Sequence, residues 1–186
     1  MPMYIDLIFL IPLLLALKFL DSYLTVWAYR NYHHYARKFV MLESYEANPN
    51  WKKDVEHGFK DWKHFSFVVF LIIILSYVYS WDSSSFWYEF LSGFSVFLYL
   101  AINFEHLTHM REMELMPGRV KGRILYTLDY YFSTATHNYV KFSAILLFAW
   151  IATQSNFILG GIFGPLLIAT LIRLRWQVYS ESLERG

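Results

Sequence analysis

From Phe65 to Trp81 the chain reads FSFVVFLIIILSYVYSW, without one charged side chain. A run apolar on every face has few places to go. In a bilayer the helix satisfies its own backbone while its side chains meet lipid. Four other stretches have the same character. Tyr4 to Tyr29 is apolar apart from Asp6, Lys18, Asp21, Ser22 and Thr25. Phe86 to Leu107 carries Glu89 near its start and Glu105 and His106 at its end. Ile124 to Gln154 begins polar and ends in the clean run SAILLFAWIA, and Phe157 to Leu174 is apolar until Arg173. A spanning helix needs about 20 mainly apolar residues, and four or five of these runs qualify. Composition agrees: 56% of residues are hydrophobic and 17% charged, against roughly 45–50% and about 25% in an average soluble domain.

The expected fold is therefore an all-α, polytopic membrane helix bundle, a single integral-membrane domain over residues 1–186. Its five spans are expected at about 4–29, 65–81, 86–107, 124–154 and 157–174. The first run is not expected to be a cleaved signal peptide, since no Lys or Arg precedes it and its apolar character continues past Lys18 and Asp21. Disorder is excluded by the hydrophobic content. A formal net charge of +1 gives no basic footprint for nucleic acid. The absence of cysteine removes disulfides, thiolate metal sites and cysteine nucleophiles.

Lys and Arg set the orientation. They fill the segment between the first two runs (Arg30, Arg37, Lys38, Lys52, Lys53, Lys60, Lys63), the next connection on that side (Arg111, Arg119, Lys121, Arg123) and the C-terminal end (Arg173, Arg175, Arg185). The DSSS stretch at 82–85 and the region around Ser155–Asn156 have none. The N-terminus is thus expected outside and the C-terminus in the cytoplasm, with the chain in the cell membrane. Within the first cytoplasmic segment, Asn48-Pro49 forms a helix start. Trp51, Val55, Phe59 and Trp62 follow at helical spacing. An amphipathic interfacial helix is expected over about 49–63.

Ionisable groups inside spans are costly, so they mark a cavity, a partner charge or a path. Lys18, Asp21, Ser22, Thr25 and Tyr29 fall on one stripe of the first span. Glu105, His106, His109 and Glu112 occupy adjacent turns at the end of the third. Asp129, Ser133 and His137 line one face of the fourth, with Lys141 a turn beyond. The expectation is one polar, cytoplasm-facing pocket built from Lys18, Asp21, Thr25, Asp129, His137 and Lys141, binding or conducting a small ion or solute. Each stripe also has a plainer reading, as an internal ion pair, as polar packing, or as interfacial histidines where a helix leaves the membrane.

Two other function classes stay open. Glu105, His106 and His109 supply carboxylate and imidazole donors suited to a divalent metal such as Zn, Mn or Fe. His106 or His109 with His137 could ligate haem. A metal- or His-dependent enzyme acting on lipid would use such groups, although the H-E-x-x-H order is absent. The third class is an accessory subunit of a larger membrane complex. Expected partners are the lipid bilayer and either further copies of the chain or other membrane subunits. Gly160 and Gly164 form a G-x-x-x-G that permits close helix packing within or between chains.

Phe19 to Thr25 (FLDSYLT) followed by Tyr45 to Pro49 (YEANP) resembles a group of small prokaryotic multi-pass membrane proteins of no known function. Those proteins pair an Asp-x-x-x-Thr helix with a downstream Glu-x-Asn-Pro. Asp21, Thr25, Glu46, Asn48 and Pro49 carry the match, over about a quarter of the chain. The resemblance implies no activity, but it adds Glu46 to the residues expected around Asp21.

Overall fold

A computed structural model describes residues 6–36, 40–42, 65–83, 85–119, 124–126 and 128–184. The described chain is helical apart from two three-residue strands. In order come α1 (Leu7–Asn31), a wider π-type turn (Tyr32–Ala36), β1 (Val40–Leu42), α2 (Ser66–Trp81), α3 (Phe86–Arg119), β2 (Ile124–Tyr126), α4 (Leu128–Thr153) and α5 (Asn156–Glu184).

Local chemistry sets the ends. Asp6 caps α1, its carboxylate accepting from the Ile8 amide at 3.2 Å, while Arg30 sits in the last turn, where a cation suits the helix dipole. Ser85 caps α3 by accepting from the Tyr88 amide at 3.2 Å. Between α4 and α5 the chain reverses at Gln154, whose φ of 51° is the left-handed conformation that ends many helices, usually at Gly or Asn. Pro12 lies inside α1 and Pro165 inside α5. Membrane helices tolerate such prolines because neighbouring groups satisfy the freed carbonyl.

Helix α3 is the hub. It packs on α5, on α1 and on α2, whereas α4 packs chiefly on α5. The α3–α5 crossing is made by glycine. A Cβ added at Gly93 would overlap the Phe157 carbonyl oxygen, and one at Gly160 would overlap that of Phe90. At Gly164 it would lie 2.7 Å from the Phe94 carbonyl oxygen. The two backbones touch, so the G-x-x-x-G of α5 is used within the chain. Leu10, Leu14, Val68, Leu71, Leu75, Tyr88 and Tyr99 belong to the main buried cluster.

Among the described residues, many large apolar side chains face outward. Ile8 is 71% exposed and Phe148 72%, and α2 turns Phe67, Val69, Phe70, Ile73 and Tyr77 outward. So much exposed hydrocarbon fits a lipid environment and not water. Among the described residues, three helical stretches are long and apolar enough to cross a membrane: Leu7–Tyr35, Phe86–Arg111 and Asn156–Leu174. Ser66–Trp81 is a shorter apolar helix, about 24 Å long at 1.5 Å per residue.

Some boundaries differ from expectation. α3 continues past residue 107 to Arg119, held along the way by Asn31 of α1, whose side-chain amide donates to Glu114 at 3.1 Å. Residues 124–126 are not the start of a spanning helix. They pair in parallel with β1, Val40 opposite Ile124 and Leu42 opposite Tyr126. The interfacial helix expected over 49–63 lies outside the described residues.

Candidate polar site between α1 and α3

The buried face of α1 follows a heptad: Leu10, Leu14, Leu17, Asp21, Leu24, Ala28 and Asn31. An aspartate replaces the apolar residue midway, with Lys18 and Thr25 one turn to either side. Asp21 is only 5% exposed, and an isolated carboxylate at such a place would not stay charged without partners. It has them. The Lys18 ammonium donates to Oδ2. On the other side His106 of α3 brings Nε2 to 3.1 Å from Oδ1. The Thr25 hydroxyl donates to the Asp21 carbonyl at 2.8 Å, and its oxygen lies 3.2 Å from the same His106 Nε2. Carboxylate and hydroxyl oxygen both accept here, so Nε2 carries the proton that they share. The Lys18 ammonium also stands over the Tyr99 ring, 5.8 Å from its centre, within cation–π range.

Asn103 stitches the two helices together one turn from His106. Its amide donates to the Leu17 carbonyl across the interface at 3.0 Å and to Tyr99 on its own helix at 2.8 Å. Beyond His106, Leu24, Ala28 and Met110 close the interface with an apolar cluster.

A second acid–imidazole pair occupies another flank of α3. Glu105 Oε1 and His109 Nε2 lie 3.0 Å apart, and the Asn138 amide of α4 donates to Glu105 Oε2 at 2.9 Å. Both members are buried. Consecutive residues on a helix point about 100° apart, so Glu105 and His106 serve different neighbours.

The expected site residues therefore divide. Lys18, Asp21 and Thr25 are gathered, and the structure adds His106 to them. His137 and Lys141 are exposed on α4 and do not reach this cluster, because α4 packs mainly against α5 while α1 sits against α3. Asp129 falls in the first turn of α4, but its side chain lies outside the described residues, as does Glu46. Glu105, His106 and His109 do not form one ligand set, since His106 turns to Asp21 and His109 to Glu105. Among the described residues, no three His, Asp or Glu side chains converge so as to hold a metal ion. Gly160 and Gly164 lie in the α3–α5 crossing.

Asn103, Tyr99 and Asn138 are the site residues that sequence reasoning missed. None is charged, so a search for ionisable groups in apolar runs passes over them. The signal for the first two was periodic: Tyr99, Asn103 and His106 recur at intervals of four and three, the repeat of one helix face. No protein-family model matches the chain, and no curated protein or solved structure matches it.

Proposed function

We propose that the chain is a multi-pass protein of the cell membrane, crossing five times with its N-terminus outside. In this reading the α1–α3 interface forms a polar site that binds or conducts a small ion or solute. The observation that carries it is the buried Lys18–Asp21–His106 cluster within stretches apolar enough to span a bilayer. Groups of this kind are expensive in hydrocarbon, and where they occur they mark ion and proton pathways. The Lys and Arg distribution supports the orientation. In that orientation the cluster would lie in the half of the membrane nearer the cytoplasm.

The reading has a direct test, because a ligand that binds only the folded state raises the unfolding midpoint. Purified protein in detergent is unfolded by heat at several pH values and in sodium, potassium, magnesium, zinc, chloride and phosphate salts. We expect at least one of these ions, the proton included, to raise the midpoint in the wild type and not in Asp21→Asn. If every shift is the same in both proteins, the site binds none of them and the proposal fails.

A further inference from the structure

On the face of α3 that carries His106, the polar residues continue to the other end of the helix. Tyr88, Ser92, Ser95, Tyr99, Asn103 and His106 follow at intervals of four, three, four, four and three. This repeat keeps all six on one stripe. At 1.5 Å per residue the stripe is about 27 Å long, close to the roughly 30 Å of a bilayer's hydrocarbon core. It is buried: Ser92 is 1% exposed, Tyr99 2% and Asn103 4%.

Among the described residues, three atoms along it have no protein hydrogen-bond partner, namely Ser92 Oγ, Tyr99 OH and Asn103 Oδ1. Orphaned polar atoms in a membrane interior cost several kcal/mol each by order of magnitude. Single bound waters are the usual solution in polar interiors. The spacing suits them, since successive stripe residues rise by about 4.5–6 Å and two hydroxyls joined through one water stand about 5.5 Å apart.

The ends of the stripe are equipped as well. At one end the Tyr79 ring meets the Tyr88 ring edge-on at 5.1 Å, and the Tyr79 hydroxyl donates to Asp6 at 3.3 Å. Glu89 lies beside this end, held by the Asn156 amide at 2.9 Å. At the other end stand Lys18, Asp21 and His106, and the His106 side chain keeps 20% of its surface exposed.

We propose that this stripe is a proton path from Asp6 to the Asp21–His106 pair, and that the ion of the polar site is the proton. The inference rests on the functional reading above and narrows it. Each hydroxyl on the stripe can accept a proton on one side and release another on the opposite side, Ser95 by turning from the Leu91 carbonyl to which it donates at 2.8 Å. Between Tyr99 and His106, where Asn103 has no hydroxyl, the proton would pass along water held by Asn103 Oδ1. Asp21 and His106 receive the proton and exchange it at the exposed edge of the imidazole. A metal cation is a poor fit, because it needs about six oxygen ligands around it. Among the described residues no three His, Asp or Glu side chains converge to supply them. The stripe shares its buried cluster with Leu10, Leu14, Val68 and Leu75, all almost fully buried.

The test uses full-length protein in liposomes loaded with a pH-sensitive dye, with potassium and valinomycin to balance charge. After an external acid jump, wild-type vesicles should acidify faster than protein-free ones, and replacing sodium by a large organic cation should change nothing. Tyr99→Phe removes one hydroxyl and little else, and should slow the protein-dependent rate at least tenfold while leaving the unfolding midpoint near wild type. Ser92→Ala should act the same way. A wild-type rate no faster than empty vesicles, or Tyr99→Phe at the wild-type rate, overturns the path. If midpoint shifts that depend on Asp21 persist in that case, the binding site stands without the path. If they too are absent, both readings fall.

Discussion

Asp21 holds its place through two helices at once, by Lys18 on its own turn and by His106 on α3. Removing one member of such a pair leaves the other charge buried and alone, which costs about 3–5 kcal/mol, more than the pair itself contributes. Asp21→Ala should therefore destabilise the protein by that amount in detergent unfolding. Combining Asp21→Leu with Lys18→Met should destabilise it less than Asp21→Ala alone. Equal losses would mean that Lys18 finds water or another anion when Asp21 is gone. The charged members of this cluster were legible in the sequence because Lys and Asp are conspicuous in an apolar run. The role of His106 was not. Its position next to Glu105 and three residues before His109 drew it toward a ligand trio, and only the packing of α3 on α1 shows that neighbouring residues on a helix answer to different partners.

Among the helices, the α3–α5 crossing depends most on single residues. Gly93 and Gly160 each face a carbonyl oxygen of the opposite helix, whereas Gly161 faces the Phe97 ring. A backbone cannot retreat without moving its helix, but a ring can turn. Gly160→Ala should thus lower stability by about 1–3 kcal/mol, the usual range for an overpacked core, and Gly161→Ala by less. Reversible unfolding of both variants in the same detergent decides the order; a larger loss for Gly161→Ala would contradict the crossing geometry. The G-x-x-x-G itself was visible in the sequence, but not its partner, because lone Gly93 belongs to no such motif. Likewise the apolar runs announced the helices, while three-residue strands carry too little pattern to be seen. The stripes on α1 and α4 looked alike in spacing, yet spacing says only which residues share a face. It does not say what that face meets, and α4 meets α5.

For the whole molecule, the orientation can be read without altering any native thiol, because the chain has no cysteine. Ser83→Cys lies between α2 and α3, and Arg111→Cys lies on the far part of α3. A membrane-impermeant maleimide applied to intact cells should label the first and not the second, with the reverse in inside-out vesicles. Labelling of both from one side would refute the proposed crossing by α3. The arrangement also bears on how the protein is made. β1 and β2 are separated by about eighty residues that include all of α2 and α3, yet they pair in register as parallel strands. Contacts between such distant segments form late, after the intervening chain has found its place. During synthesis, then, α1 must wait for two further helices before its trailing segment can be fastened. The strand pair would be the last stitch of assembly at that end, present only in chains whose middle helices have already packed correctly.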